Sequence, residues 1–216
     1  MKLRPYYFLL LFCLLLQTTA QCQEDWKLKK DKNGIKVYSR KTPNFKFDEL
    51  KVDCIFEGKI SQLAAVILDV KNQYQWVYKT AKSELLKQVT NADLFYYSEI
   101  ECPWPFHNRD LIARMTITQN TSTKILSIVA KSVDNYLPSK KNLVRVKYSN
   151  ALWTITPLNN AQFKVEYKIQ IDPGDGVPAW ILNMFATNGP YESFKNLKDK
   201  IMLPAYAAAK FPFIKD

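Results

Sequence analysis

The sequence predicts an α+β domain in which a curved antiparallel sheet wraps around one long C-terminal helix. Strand patterns follow one another from residue 81 to residue 171, separated only by turns and one proline-rich loop. A broad apolar stripe in helical spacing then covers residues 178–201. A sheet of this length buries its apolar face by packing helices on one side, which is the layer arrangement of an α+β domain.

The other elements follow from local patterns. We predict the end of an N-terminal helix over residues 26–31, and Ser61 as the N-cap of a second helix. Pro178 lies in the first turn of the long helix, and Gly189-Pro190 is expected to kink or briefly break it. Alternating or apolar runs predict strands over residues 35–41, 47–56, 85–89, 94–100, 111–118, 125–133, 143–155 and 163–171.

The first twenty residues are predicted to be a cleaved signal peptide. Lys2 and Arg4 form a basic start, residues 6–16 are apolar without interruption, and small residues ending at Ala20 supply a cleavage site. The apolar run is shorter than the roughly 20 residues that a membrane span needs. We therefore expect export by a cleaved signal, with the protein periplasmic or secreted.

One domain is expected over residues 21–216, because no repeat, low-complexity tract or long linker interrupts this part of the chain. An alternative for the start of the mature chain is lipidation of Cys22, as in a bacterial lipoprotein. Gln21 argues against this alternative because it stands where a small residue is required. A domain of this size can bury a substantial core or enclose a cavity.

The mature chain is basic. The sequence has 31 Lys and Arg against 20 Asp and Glu, and loss of Lys2 and Arg4 leaves 29 against 20. Such a surplus favours anionic surfaces. Since an exported protein has little occasion to meet nucleic acid, we expect no nucleic-acid partner and a transient contact with membrane headgroups. We also expect the protein to be a monomer.

Metal and disulfide chemistry have little support in the sequence. Three cysteines remain after the signal is removed, Cys22, Cys54 and Cys102, so a bridge between the last two is possible but a disulfide framework is not. The spacing lacks the short Cys and His pairs of a zinc site, and His107 is the single histidine. We expect no metal and no cofactor.

A rigid aromatic loop leads into the strand that begins near residue 111. Two prolines stiffen residues 102–106 and exclude helix or central strand there. Trp104 and Phe106 are interpreted as core or rim packing. Arg109 and Asp110 are interpreted as a structural clamp, which is made either by an ion pair or by loop-locking hydrogen bonds. In the second case the arginine ties neighbouring carbonyls and the aspartate accepts amides of the loop.

This loop and the Arg-Asp pair resemble the signature of START domains, the lipid-transfer relatives of the steroidogenic acute regulatory protein. Other stretches are similar to that family in the same order. They are the first strand at residues 34–40, Trp76 after the second helix, Val144-Arg145 after a proline-containing loop, and the opening of the closing helix at residues 177–183. The resemblance spans about residues 25–205.

The resemblance implies the helix-grip architecture, with a hydrophobic cavity between sheet and closing helix that takes up one lipid or sterol-like ligand at a time. It implies a carrier between membranes, with the C-terminal helix and the loop of residues 134–142 as the gate. The residues expected at the cavity or gate are Trp76, Tyr97, Met115, Ile117, Leu137, Trp180, Met184 and Phe185, and Lys140 and Lys141 are expected to meet headgroups.

One position departs from the family. Cholesterol-carrying members place an arginine six residues after the signature arginine and pair it with an acidic residue. Met115 occupies this position here, and Arg114 is expected to point to the opposite face of the strand. The sequence therefore does not indicate cholesterol, and phospholipid, fatty acid, hopanoid or another polycyclic lipid stay open.

Two other function classes are compatible with this architecture. Helix-grip folds also host cyclases and hydrolases, but the sequence has no G-x-S-x-G elbow, P-loop or dinucleotide motif, and a lone His107 makes no catalytic set. We therefore expect no enzyme. A binding module that holds its ligand without transferring it is the third possibility.

Overall fold

The computed structural model describes residues 25–43, 45–159 and 161–216. The predicted signal peptide and Cys22 lie outside these residues. Within them, ten strands form one sheet: β1 Lys27–Lys32, β2 Ile35–Arg40, β3 Glu49–Glu57, β4 Thr80–Thr90, β5 Asp93–Ile100, β6 Asn108–Gln119, β7 Leu126–Ser132, β8 Leu143–Arg145, β9 Tyr148–Asn159 and β10 Gln162–Asp172. The helices are α1 Ile60–Leu68, a 3-10 helix Val70–Gln75, α2 Ala179–Ile201 and the short α3 Pro204–Ala207.

The strands lie in the order β1-β2-β3-β10-β9-β7-β6-β5-β4, and each neighbouring pair is antiparallel. The short β8 is off this path and pairs in parallel with β6. The sheet curves around α2, which contacts β1, β2, β3 and α1. The predicted α+β helix-grip fold is confirmed.

Aromatic side chains join α2 to the concave face of the sheet. Phe56 on β3 stacks on Phe163 of β10 with ring centroids 5.5 Å apart. Phe194 of α2 stacks on Trp153 of β9 at 5.1 Å and meets Phe56 edge-on at 6.3 Å. Burial of rings this large supplies much of the apolar area that holds the helix in place.

The two halves of α2 are packed differently. From Gly189 onward, one side of the helix is buried, whereas Ile181 is the only fully buried residue among the first ten described positions of the helix. The helix continues without a break through Pro190, so of the two expectations there, a kink or a brief break, the break is wrong. Pro190 has no N–H to donate to the carbonyl four residues earlier, and the Ser193 hydroxyl donates to the Gly189 carbonyl at 2.8 Å.

Other local predictions also need correction. Residues 26–31 do not end a helix, since β1 occupies most of them at the sheet edge. Lys59, not Ser61, is the N-cap of α1. Ser61 lies in the first turn and donates its backbone N–H and its hydroxyl to the Asp216 carboxylate, each at 2.8 Å. A carboxylate there also complements the positive end of the helix dipole.

The strand predicted over residues 143–155 is two strands, because β8 pairs with β6 whereas β9 pairs with β7 and β10. Cys54 and Cys102 are both free thiols. No described helix combines the length and the apolar character that a bilayer crossing requires.

Candidate functional site

A cavity of about 480 Å³ lies between the concave face of the sheet and α2. Small-molecule sites in proteins span about 300–1,000 Å³ and are mostly apolar. Strands β5, β6, β7, β9 and β10 form one wall, and the first half of α2 forms the other with Ile181, Leu182, Phe185 and Ala186. The predicted cavity between sheet and closing helix is therefore present.

Alanines in the middle of the sheet make room for the cavity. Strand register places one lining residue from each of five neighbouring strands in a transverse row: Met115, Ala130, Ala151, Ile169 and Leu50. Residues directly opposite each other on paired strands share a face. The row therefore has large side chains at its ends and methyl groups at its centre, which leaves a hollow above β7 and β9.

An aromatic cluster closes the cavity where the second half of α2 begins. Trp153 and Tyr167 are paired across β9 and β10 with ring centroids 4.5 Å apart, and Trp76 meets Trp153 edge-on at 6.4 Å. Burial raises the pKa of Tyr96 to about 12 and also raises the pKa of Tyr167. Both phenols line the cavity and stay uncharged at neutral pH, which keeps this wall free of charge.

Arg109 is the buried cation of the wall. Its guanidinium donates to the carbonyl of His107 and, at 3.3 Å each, to the carbonyls of Pro173 and Asp175. These bonds tie the start of β6 to the segment that leads from β10 into α2. The expectation that Arg109 ties neighbouring carbonyls agrees with this geometry.

Asp110 has a different partner from the predicted one. It accepts two hydrogen bonds of 2.9 Å from the Arg145 guanidinium, and the two side chains are only 1% and 8% exposed. The bond to Asp110 raises the pKa of Arg145. Asn108, not Asp110, accepts the amide of the proline-rich loop, from Cys102 at 3.1 Å. The loop-locking hydrogen bonds predicted for Asp110 are therefore wrong, because Asn108, two residues earlier, accepts that amide; the ion pair, the other expectation, is formed with Arg145.

The loop of residues 134–142 covers the outer face of β5, on the side away from the cavity. Arg145 donates to the carbonyls of Leu137 at 3.0 Å and Pro138 at 3.3 Å. The Lys140 ammonium donates to the Tyr97 hydroxyl at 3.0 Å. None of residues 134–142 lines the cavity. The loop therefore does not lie beside α2 at the cavity, where the gate was expected.

Three of the eight predicted cavity or gate residues line the cavity: Trp76, Met115 and Phe185. Ile117 faces the same side of β6 as Met115 but is buried in the core beyond the end of the cavity. Met184 is partly buried and does not line it. Arg114 points outward as expected and pairs with Asp93 at 2.9 Å.

The other three predicted residues lie off the cavity. Tyr97 faces the outer side of β5, and its neighbour Tyr96 takes the inner position. Leu137 belongs to the loop on the outer face. Trp180, at the start of α2, is half-exposed and meets Phe106 edge-on at 6.4 Å, so both rings lie at the rim. Trp104 is 91% exposed, which excludes the core packing predicted for it.

The lining residues that sequence reasoning missed include large apolar side chains, such as Leu111 and Trp153, and several small ones. Ala113, Ala130 and Ala151 carry little hydrophobic signal, although each lies in phase with the inward residues of its strand. This inward phase of the strand pattern is the sequence signal that identifies the alanines as lining residues. Among the described residues, no three His, Cys, Asp or Glu side chains are grouped as metal ligands would be.

Comparisons with known proteins agree with this architecture. The family model described as START domain matches residues 10–202. An uncharacterized protein of Pseudomonas aeruginosa is 31% identical over 175 residues, which cover 81% of this chain and 86% of the relative. Human phosphatidylcholine transfer protein is 27% identical over 189 residues, covering 86% and 87% of the two chains.

A solved structure is similar over the same region. The STAR-related lipid transfer protein fragment from Xanthomonas axonopodis is 28% identical, covers 83% of this chain and 100% of its own, and superposes with a TM-score of 0.76. Since the family model matches most of the sequence and the fold agrees, this chain belongs to the START domain family.

Proposed function

We propose that the protein takes up one lipid or other hydrophobic ligand at a time and carries it between membranes. The observation that carries this proposal is the apolar cavity of about 480 Å³ between the sheet and α2. The relatives support it, because two of them are named as lipid transfer proteins.

The energetics of an acyl chain fit such a carrier. Each buried CH₂ group contributes about 0.8 kcal/mol. Transfer of a long acyl chain from water into the cavity is therefore favourable by on the order of 10 kcal/mol. The single histidine, His107, belongs to the proline-rich loop and is not among the lining residues. We therefore propose binding and transfer in place of catalysis. We also propose that residues 1–20 export the protein, because their basic start, apolar run and small residues have the composition of a cleaved signal peptide.

Protein purified from its native host, extracted with organic solvent and analysed by mass spectrometry, tests the binding step. One lipid per protein molecule is expected, and a ligand-free protein that takes up no lipid from liposomes would contradict the proposal. Transfer of that lipid between donor and acceptor liposomes then separates a carrier from a static binding module.

We propose that the first half of α2 is the gate. Leu182, Phe185 and Ala186 form part of the cavity wall, yet little of this half is fully buried. The second half is held by several contacts, including the hydrogen bond of 2.9 Å that the Tyr78 amide donates to the Ser193 hydroxyl. Gly189-Pro190 marks the boundary between the held and the less buried half, so opening is expected to bend the helix there.

The double variant Gly189→Ala/Pro190→Ala is expected to slow lipid exchange about tenfold while raising the free energy of unfolding. Removing a helical glycine and a helical proline favours a straight, fully bonded helix by about 1 and 3 kcal/mol respectively. A Cβ on residue 189 meets its nearest atom, Tyr78 Cδ1, at an ordinary 3.6 Å, so the change is accommodated. Exchange is measured with liposomes that carry a fluorescent fatty acid.

Pro204→Ala, in the first turn of α3 and outside the proposed gate, is the control for general loss of a helical proline. If the double variant at 189–190 exchanged lipid as fast as the unmodified protein, the bend would not be the gate.

We propose that Trp104 makes the contact with the membrane. It is a large amphipathic ring held out on a proline-rich loop, and Phe106 joins that loop to Trp180 at the start of the gate. Tryptophan favours the interface between headgroups and acyl chains. In this proposal the loop meets the bilayer beside the opening helix.

Trp104→Ser is expected to reduce binding to anionic vesicles several-fold without changing stability, because an exposed side chain contributes less than about 0.5 kcal/mol to folding. Vesicle flotation measures the binding, and urea unfolding measures stability. Leu158→Ser is the matched control, since Leu158 is half-exposed near the end of β9, at the opposite end of the sheet. Equal loss of vesicle binding in both variants would contradict a specific role for Trp104.

A further inference from the structure

One side chain of the sheet holds the segment that precedes α2. Residues 173–178 connect β10 to this helix, and Gly174 and Gly176 adopt φ values of +80° and +75°. Glycine reaches both signs of φ readily, so the segment can change conformation at little cost. The Gly174 amide donates to the Asp172 carboxylate at 2.9 Å, which is a local bond. Among the described residues, the other side chain that bonds to the segment is that of Arg109.

The Arg109 guanidinium reaches from a fixed strand to two connecting segments. Arg109 is 5% exposed, and its backbone is paired with β5 on one side and with β8 on the other. The guanidinium donates to the carbonyl of His107 in the proline-rich loop. It also donates, at 3.3 Å each, to the carbonyls of Pro173 and Asp175. One side chain therefore joins the proline-rich loop to the segment before α2.

The proline-rich loop is fixed at its base and contacts α2 near its tip. The Cys102 amide donates to the Asn108 side chain at 3.1 Å, and the Glu101 amide donates to the Lys79 carbonyl at 2.7 Å. Beyond this base, the Phe106 ring meets Trp180 at the start of α2. A displacement of residues 103–107 would therefore move both the His107 carbonyl and a ring that touches the helix.

The hydrogen bonds of Arg109 are of a kind that can be exchanged. Its acceptors are neutral carbonyls, and no carboxylate of the described residues forms an ion pair with it. Arg145, by contrast, donates two bonds of 2.9 Å to the Asp110 carboxylate. Hydrogen bonds between two ionised partners are shorter and stronger than those to a neutral acceptor. We therefore expect the Arg145 pair to persist under conditions in which the bonds of Arg109 are released.

We propose that Arg109 is a releasable latch, which keeps the first half of α2 closed over the cavity in water. The latch opens when residues 103–107 enter a bilayer and carry the His107 carbonyl away from the guanidinium. Trp104, 91% exposed, is the side chain of this loop that meets the bilayer. Arg109 is thus a positioning residue for transfer, since it acts through the segment before α2. This inference rests on the proposed function, because it requires a ligand in the cavity and a loop that contacts membranes.

Stopped-flow release of a bound fluorescent fatty acid tests the latch, once into albumin as a soluble acceptor and once into vesicles of phosphatidylglycerol and phosphatidylcholine. Arg109→Lys keeps the charge but loses the planar fork that reaches several carbonyls. Release into albumin is expected to become about tenfold faster, the rate change for the loss of one or two hydrogen bonds. Release into vesicles is expected to stay unchanged, because the latch is already open there.

Arg145→Lys is the matched control. It is the same change at a second arginine that is largely buried and holds two carbonyls, those of Leu137 and Pro138. The free energy of unfolding is expected to fall, but the ratio of the two release rates should stay that of the unmodified protein. An unchanged ratio in Arg109→Lys, or an equal change in both variants, would overturn the latch.

Trp104→Ser separates the latch from the contact with the membrane. This variant is expected to slow release into vesicles and to leave release into albumin unchanged. In the double variant Trp104→Ser/Arg109→Lys, release into vesicles should become fast again, because the helix no longer needs the bilayer to free it. A double variant as slow as Trp104→Ser alone would contradict the proposal.

Hydrogen exchange of the unmodified protein provides a measurement that does not depend on the folding of a variant. The amides of residues 173–183 are expected to exchange faster on the same vesicles than in solution, and equal exchange in both would overturn the latch. If the unmodified protein bound no fatty acid at all, the proposed lipid-binding function itself would fail.

Discussion

Replacing Asp110 by Asn is expected to lower the free energy of unfolding by about 3–5 kcal/mol, the cost of removing one partner from a buried ion pair. The Arg145 guanidinium would stay charged and buried without its carboxylate, because Asp110, at 2.9 Å, is its only ion-pair partner among the described residues. The same guanidinium holds the carbonyls of Leu137 and Pro138, so the loop over the outer face of β5 should loosen as well. Urea unfolding measures the loss.

The matched control is Asp93→Asn. Asp93 also accepts two hydrogen bonds from one arginine, Arg114, but that arginine is half-exposed, and exposed pairs contribute about 0–1 kcal/mol. The double variant Asp110→Leu/Arg145→Met removes both charges and is expected to lose less stability than Asp110→Asn alone. Similar losses in Asp110→Asn and Asp93→Asn would show that burial of the pair near the cavity wall does not matter.

Ala130→Trp is expected to abolish lipid uptake, with affinity for a fluorescent fatty acid falling more than a hundredfold. Ala130 lies at the centre of the row between Met115 and Ala151, so an indole there fills the hollow in which a tail would lie. Overpacking a filled core costs about 1–3 kcal/mol, but here the added ring enters existing space. The free energy of unfolding should therefore change by less than that.

Val129→Trp is the control, since Val129 precedes Ala130 on β7 and does not line the cavity. It should bind the fatty acid normally. Retained binding in a folded Ala130→Trp protein would mean that the ligand lies elsewhere.

Much of the fold could be predicted from sequence because the pattern of each strand and of α2 is strong. β2 and β3 alternate cleanly, with Ile35, Val37, Val52 and Cys54 buried on one side. β1 could not be recognised because its residues are nearly all exposed at the sheet edge, which leaves no two-residue period to read.

The site could be predicted only in part, and Tyr96 and Tyr97 show why. Both are buried, since α2 and the cavity lie on one side of β5 and the loop of residues 134–142 covers the other. A strand covered on both faces loses its alternation, so the pattern does not tell which tyrosine faces inward. The Asp110–Arg145 pair was missed for a related reason, because the parallel pairing of β6 with β8 brings together residues 35 positions apart.

The alanine row also has a mechanical consequence. A folded protein that encloses space gives up that space on unfolding, so its volume of unfolding becomes more negative and hydrostatic pressure favours the unfolded chain. A lipid tail lying over Ala130 and Ala151 removes the same space. Pressure therefore favours the unfolded chain, whereas a bound ligand favours the folded protein. The pressure at which the protein unfolds becomes a measure of how full the cavity is.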